Sequence, residues 1–357
     1  MPRNRLDPAI FRLPEVRIRD GYYSDAYFNF TKELLEADGP RPRVVMQVFQ
    51  KNEALLGGID EAVAIVKRCA GHYRDRNWVP GWAELEVHAL HEADAIDPFE
   101  AVMTIEGDYA LFAHLETVYL GALARRTLVM RNVRAVVEAA RGKAILFMPA
   151  RHDHWLVQTG DGWAAHTAGA IGVSTDANAS WWGGRGVGTI PHSLIAAYGG
   201  DTVAAARAFA TRYAGTMNVT VLVDFTNDSA RTAVEVADAL GDDLWGVRLD
   251  TSEALVDVGL QASGGPPGVS PELVRHVRGA LDDAGHRRVR IVASGGFTAE
   301  KIAAFEEDRV PVDAYGVGSS LVRGSNDFTA DIVMVDGRPC AKVGREHRPN
   351  PRLERVD

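Results

Sequence analysis

In the second half of the chain, four short apolar runs (residues 221–224, 247–250, 291–296 and 315–320) each stop at small or acidic residues before a segment of helical period. That alternation predicts a barrel of parallel strands. The intervening helices are well punctuated. Ser270-Pro271-Glu272 supplies a cap, a proline at the first helical position and an acid in the first turn, and Leu273, Val277 and Leu281 follow at four-residue steps. Thr298 caps the next helix, with Ile302 and Phe305 facing inward. The first hundred residues are of mixed character. Residues 22–35 read as a helix after Ser24-Asp25, and residues 57–70 carry a helical stripe at Ile59, Val63 and Val66. Residues 43–50, 82–90 and 101–107 read as strands. From 110 to 141 the pattern predicts helices that link the two parts, and 145–148 is a short strand. The Gly-, His- and Trp-rich stretch that runs to His192 reads as long functional loops. Around Asp336-Gly337 the tail predicts a hairpin that returns to the first part.

The candidate chemistry gathers where these strands end. Ser294-Gly295-Gly296 and Gly316-Val317-Gly318-Ser319-Ser320 suit a phosphate, because glycines let backbone N–H groups approach it. Asp224 and Asp250 suit ribose hydroxyls or a hard cation such as Mg²⁺. Gly and Asp also dominate ordinary strand-to-helix turns, so the signal lies in their order: acid, acid, then two Gly/Ser loops. In Gly188-Thr189-Ile190-Pro191-His192-Ser193 a proline presents a histidine at a helix start, where it suits an anion or a phosphoryl group, or simply caps the turn. Arg151, just past the 145–148 strand, suits a carboxylate held by two parallel hydrogen bonds. His152 and His154 point the same way on an extended segment but lack a third ligand nearby for a metal. Strand alternation puts Arg248 and Asp250 on one face at the barrel mouth, as an ion pair or as a grip on pyrophosphate and ribose. Glu116 and Thr117 fit a buried polar network.

A hydrophobic content of 46% supports a substantial core, and a net charge of −9 argues against nucleic acid as a partner. No apolar stretch reaches the ~18 residues of a membrane span, and the start leads into mixed charge with no apolar h-region, so the expected location is cytoplasmic with no membrane partner. Cys69 and Cys340 form neither a CxxC pair nor a disulfide framework.

Taken together, these motifs resemble the nicotinate phosphoribosyltransferase family, related to the nicotinamide and quinolinate phosphoribosyltransferases. Ser24-Asp25-Ala26-Tyr27 is similar to the family's early Asp-x-Tyr, and Leu115-Glu116-Thr117-Val118-Tyr119-Leu120-Gly121 to its Glu-Thr-x-x-x-Gly. Met148-Pro149-Ala150-Arg151 resembles a Phe-Gly-x-Arg strand end, residues 188–192 the loop with a phosphorylatable histidine, and residues 247–250 an Arg-x-Asp strand. Residues 294–296 and 316–319 are similar to its phosphate loops. The sequence departs at Met148, where the family has a stacking phenylalanine, leaving Phe147 as another possible ring partner. It departs again at Asp224-Phe225-Thr226-Asn227-Asp228, which leaves open whether Asp224 or Asp228 meets ligand.

The resemblance implies an α/β protein: an irregular α/β barrel of the type II phosphoribosyltransferase kind over residues 142–330, with an N-terminal open-faced α/β sandwich over 1–109 completed by 331–357, and linking helices over 110–141. The implied reaction forms nicotinate mononucleotide and pyrophosphate from nicotinate and phosphoribosyl pyrophosphate, coupled to ATP, with Mg²⁺, in NAD biosynthesis. The competing readings are a nicotinamide or quinolinate phosphoribosyltransferase and a catalytically silent, ligand-sensing homologue. The resemblance assigns His192, Arg248 and Asp250 to catalysis, Asp250 also to Mg²⁺. It assigns Tyr27, Met148, Arg151, Ser174, Asp224 and Thr189 to substrate, and Ser294, Gly295, Gly296, Gly316, Gly318 and Ser319 to phosphate. Ser174 at the ring-contacting loop favours nicotinate, whereas a carboxylate there, for which Asp176 is the candidate, favours nicotinamide. The implied assembly is a homodimer or higher oligomer in which Tyr27 stacks on the pyridine of the neighbouring subunit's site.

Overall fold

The computed structural model describes residues 4–39 and 41–357. They form two compact units, one made of the chain up to Arg131 with Gly324–Asp357, the other of Asn132–Arg323. The first is built on a six-stranded antiparallel sheet in the order Arg338–Pro339, Thr329–Val335, Arg43–Phe49, Ala101–Asp108, Glu86–Ala89, Glu354–Arg355. The C-terminal strand Thr329–Val335 pairs directly with Arg43–Phe49, so the sheet needs both ends of the chain. Its return is the expected hairpin: Asp336 and Gly337 both take positive φ, 47° and 74°, as a two-residue turn matching strand twist requires. The helix Ile59–Cys69 buries Ile59, Ala62, Val63, Ile65, Val66 and Cys69 against the unit's core. Gly58 starts it at φ 81°, with Ala122 O at 2.9 Å and Arg126 Cγ at 2.8 Å from where a Cβ would sit. Only glycine fits there.

Two local expectations are corrected. Residues 82–90 are not one strand: Trp82–Glu84 is a 3₁₀ turn, closed by Leu85 N–H to Trp82 O, and the strand is Glu86–Ala89. Past the 3₁₀ turns Tyr109–Leu111 and Ala113–Leu115, the helical pattern up to residue 141 is a single helix, Glu116–Ala139. The boundary between the units falls within it, after Arg131.

The second unit is the barrel. Six parallel strands lie in the order Val219–Leu222, Leu244–Leu249, Arg290–Ala293, Ala314–Val317, Ala144–Phe147, Gly172–Val173. The edges are joined by a short segment rather than a strand: Val187 N–H donates to Val173 O at 2.7 Å and Ile190 N–H to Thr220 O at 3.0 Å. Along Leu244–Leu249, Val247 and Leu249 are buried beneath the helices while Arg248 turns the other way, as the period-2 reading requires. The helix Pro271–Asp283 is capped by Ser270, whose Oγ accepts from Leu273 N–H, and buries Leu273, Val274, Val277 and Leu281. Thr298 caps Ala299–Glu307 in the same way. Among the described residues, no helix is long and apolar enough to cross a membrane.

The first unit also encloses a histidine. His114 is 0% exposed, with Trp78 edge-on at 6.4 Å. Burial, and secondly the Lys32 ammonium, push its pKa down from 6.5 to about 3. The folded protein therefore holds it neutral while the unfolded chain takes up a proton below about 6.5. The associated stability is present above that pH and is lost as the pH falls towards 3. We expect His114→Leu to lose less stability than the wild type between pH 7 and pH 5, by about 2 kcal/mol. Denaturant unfolding of both proteins at the two pH values measures this; parallel losses would contradict it.

Candidate active site

The barrel mouth is organised around one hydroxyl. Ser294 leaves the Arg290–Ala293 strand with its Oγ accepting from Arg248 Nε at 2.7 Å, and it lies 2.9 Å from Leu249 O and 2.8 Å from Asp250 Oδ1, the two acceptors for its proton. Arg248 also donates from Nη1 to Thr189 Oγ1 at 3.1 Å and lies 3.4 Å from Asp250 Oδ2. Arg248, Asp250, Ser294 and Thr189 thus form one network spanning three parts of the barrel rim.

Beyond Ser294 the chain turns through Gly295 at φ 87° and Gly296 at φ 67°; a Cβ on Gly296 would overlap the Glu253 carboxylate. These glycines, with Gly316, Gly318 and Ser319 after the Ala314–Val317 strand, line a narrow cleft of about 110 Å³ that also takes in Met148, Arg151, His152, Arg248 and Asp250. The N–H groups of Gly295, Gly296 and Gly318 donate to no acceptor among the described residues. Convergent free N–H groups on a Gly turn form a concavity suited to an anion. All six residues expected at phosphate are therefore brought together.

A wider cleft of about 500 Å³ adjoins it through Met148, Arg151, Arg248 and Asp250. It is walled by Ser174 and Thr175 on one side and by Val187, Gly188, Thr189, Pro191, His192 and Ser193 on the other. Arg151 is exposed in it and pairs with no described residue. The Ser174 Oγ is buried without a hydrogen-bond partner, a donor and acceptor left for a ligand. Asp176 is already engaged, its Oδ1 accepting from Gly186 N–H at 2.8 Å. Phe147 is 1% exposed in the Ala144–Phe147 strand and lines neither cleft, so it does not replace the missing ring partner at Met148. Parity decides it: Leu146 and Met148 share the face opposite to Phe147.

His192 opens the helix His192–Ala197, and its Nε2 lies 3.0 Å from Asp224 Oδ1. Its side chain is 42% exposed and that of Asp224 only 6%. Burial raises the Asp224 carboxyl above its usual range, opposed by the hydrogen bond to His192. With six residues the helix has little macrodipole, so the carboxylate rather than the helix orients the imidazole. Asp228 is turned away, its Oδ2 2.7 Å from Arg231 Nε. Of the two acids left open by the sequence, Asp224 is the one facing the histidine.

Tyr27 lies in the first unit, on the helix Ala26–Asp38. Thr117 Oγ1 donates to Asp25 Oδ2 at 2.9 Å and lies 3.0 Å from the Asp25 N–H, which it accepts. Ser24 donates to His114 O. The early Ser-Asp-Ala-Tyr and the later Glu-Thr therefore meet. Glu116 beside them has its pKa raised to about 8, by burial first and then by Asp331 and Asp25.

Two features escaped the sequence. Ala150–His152 is a 3₁₀ turn, not an extended segment, so His152 and His154 are not parallel ligands: His152 lines the narrow cleft while His154 Nδ1 accepts from Leu156 N–H. Only adjacency to Arg151 could have marked His152. The second is Thr251, whose Oγ1 is buried without a partner just past Asp250. Among the described residues no group of three His, Cys, Asp or Glu side chains converges as a metal cage.

A family model for the N-terminal domain of quinolinate phosphoribosyl transferase matches residues 25–127. A nicotinate phosphoribosyltransferase of Mycobacterium tuberculosis is 32% identical over 279 residues, covering 76% of this chain and 56% of that relative. A second from the same organism is 31% identical over 267 residues, covering 71% and 52%. The chain thus spans about half the length of the curated relatives it matches. Among solved structures, a nicotinate-nucleotide pyrophosphorylase from Pyrococcus furiosus matches with a TM-score of 0.80 at 31% identity, over 96% of this chain and 85% of the other. Human nicotinic acid phosphoribosyltransferase has the same fold, with a TM-score of 0.70 at 18% identity over 89% and 76%.

Proposed function

Since the chain belongs to the nicotinate phosphoribosyltransferase family, we propose that it joins nicotinate to phosphoribosyl pyrophosphate, releasing nicotinate mononucleotide and pyrophosphate, in NAD biosynthesis. The observation that carries this reading is the pair of adjoining clefts. One is narrow, Gly-lined and rich in free N–H groups; the other is wider and offers an unpaired Arg151 and an unpartnered Ser174 hydroxyl beside Met148 and Val187. A phosphorylated sugar fits the first and a flat ring with one carboxylate the second.

The charge count favours a monocarboxylate. Arg248 is held by Ser294, Thr189 and Asp250, so among the described arginines lining the wider cleft only Arg151 is free for a carboxylate. Quinolinate, with two carboxylates, would want a second free cation. Nicotinamide would want a carboxylate acceptor for its amide N–H, and Asp176, the candidate, is not among the residues lining the wider cleft.

The reaction needs little proton chemistry. The pyridine nitrogen attacks C1 of the ribose as pyrophosphate leaves, and positive charge grows on the ring oxygen and C1. Arg248 meets the negative charge that develops on the leaving group, and Asp250, fixed by Ser294 and Arg248, faces the sugar side of the cleft. Asp250, a carboxylate lining both clefts, would hold Mg²⁺, which would supply neutralisation of the departing pyrophosphate charge.

ATP enters through His192. With Nε2 on Asp224, Nδ1 is left to accept a phosphoryl group, and the side chain is open enough to receive one. His192→Ala should abolish ATP stimulation while leaving some unstimulated turnover. A wild type insensitive to ATP, or one with no acid-labile phosphate on His192 after ATP incubation, would refute this role.

The substrate assignment is tested by comparing nicotinate, nicotinamide and quinolinate with phosphoribosyl pyrophosphate. Only nicotinate should turn over efficiently. Arg151→Ala should raise KM for nicotinate much more than KM for phosphoribosyl pyrophosphate, since removing a charged partner in a closed site typically costs ~2–5 kcal/mol. Equal effects on the two substrates would sink the assignment.

The sites are shared in a symmetric dimer on this reading. Tyr27, Phe30 and Leu34 form an exposed stripe at helical spacing, 59, 60 and 60% accessible, with Tyr22 exposed beside them. Large apolar side chains left open on one helix face suit a second copy of the chain. At a nicotinate concentration too low for either variant alone to turn over, mixing Tyr27→Ala with Arg151→Ala should restore roughly a quarter of wild-type activity, because about half of random dimers are mixed and each regains one of two sites. No recovery under demonstrated subunit exchange would mean that Tyr27 does not serve a neighbour's site.

A further inference from the structure

His152 is the histidine of the narrow cleft, and neither of its ring nitrogens meets a described hydrogen-bond partner. A Cβ on Gly318 would come within 3.0 Å of its Cε1 and 3.5 Å of its Nδ1, so the ring lies directly on the glycine of the second loop. Three histidines outside this cleft are committed by contrast: His192 to Asp224, His154 to Leu156 N–H, His286 to Asp238. The ring of His152 faces a cavity floored by the free N–H groups of Gly295, Gly296 and Gly318.

The charged groups around that cavity are largely engaged with one another. Arg248 and Asp250 neutralise each other across 3.4 Å. Glu253 lies over Gly296, and Lys301, whose Nζ is 3.5 Å from Gly295 O and 4.5 Å above the Phe297 ring, offsets it. Arg151 reaches both clefts, and its guanidinium is assigned to the carboxylate in the wider one. Arg323 at the rim is bonded to Ser319 Oγ at 3.2 Å. A phosphate dianion on the Gly turns thus has backbone donors in place, and the imidazole resting on Gly318 is the lining side-chain nitrogen donor left without a partner or an assigned ligand among the described residues.

We propose that His152 is a binding residue for the terminal phosphate of the phosphorylated ribose, its ring N–H donating to a phosphate oxygen seated on the Ser294–Gly296 and Gly316–Ser319 turns. The assignment rests on the phosphoribosyl reading of the cleft and names the side chain that completes it. Charge-assisted hydrogen bonds to phosphate are among the stronger polar contacts.

The test uses ribose 5-phosphate, which carries that phosphate but cannot react, in calorimetric titrations of the full-length protein, alongside steady-state kinetics. His152→Ala should weaken ribose 5-phosphate binding by about tenfold and raise KM for phosphoribosyl pyrophosphate similarly, with a much smaller change in KM for nicotinate. His152→Asn, which keeps an N–H near the position of Nδ1, should recover most of the loss, and it carries the test if the alanine variant does not fold. Unchanged ribose 5-phosphate affinity in a folded variant, an equal rise in KM for both substrates, or a wild type that does not bind ribose 5-phosphate would each overturn the proposal. A wild type that binds ribose 5-phosphate through His152 but does not turn over nicotinate would instead refute the substrate reading and leave this one standing.

Discussion

Everything at the barrel mouth depends on keeping a half-buried guanidinium in one orientation. Arg248 projects into the barrel mouth, and a partly desolvated cation left to swing would lose its bonds to water without fixed replacements. Ser294 removes that freedom by accepting from Nε while its own proton faces Leu249 O and Asp250 Oδ1. One small side chain thereby fixes an arginine, an aspartate and the start of the Gly295-Gly296 turn. A side chain at Gly316 would press on it, since the Ser294 Cβ lies only 3.3 Å from where a Cβ on Gly316 would sit.

The barrel was the most legible part of the fold, since its strands and helices differ sharply in period and its helices carry unambiguous caps at Ser270 and Thr298. The hairpin at Asp336-Gly337 was legible for a comparable reason: two adjacent residues that tolerate positive φ leave little else for the backbone to do. What the sequence concealed was local geometry without a periodic signature. Trp82–Glu84 and Ala150–His152 are 3₁₀ turns of three residues each, too short to imprint a hydrophobic pattern. The second of these turned His152 into the narrow cleft, although the sequence had offered it only as a weak metal ligand. Phe147 shows the complementary case: its aromatic character suggested a ring partner, yet strand parity alone sends it to the opposite face from Met148.

The candidate site was legible as a set of strand ends and opaque as a set of contacts. Nothing in the spacing of Asp176 and Gly186 announces that one bonds the other, nor that this carboxylate lies off the lining of the wider cleft. Nor could the sequence decide between Asp224 and Asp228, four residues apart at a strand-to-helix turn. The choice follows from Asp228 turning to Arg231 on the helix Ser229–Leu240 while Asp224 stays at the strand end. Contacts of this kind depend on which of several equally plausible partners the tertiary fold brings close.

The segment that closes the barrel, Val187 to Ile190, is held to its two neighbouring strands by sparse backbone bonds, unlike the continuous ladders elsewhere in the sheet. It is also one wall of the wider cleft. Exchanging residues in this seam reshapes the cleft without unzipping a ladder, whereas a change in Leu244–Leu249 disturbs paired strands on both sides. The barrel therefore has a replaceable panel, and it lies against the wider cleft. A scaffold of this kind can be re-cut around its wider cleft while its Gly turns stay as they are.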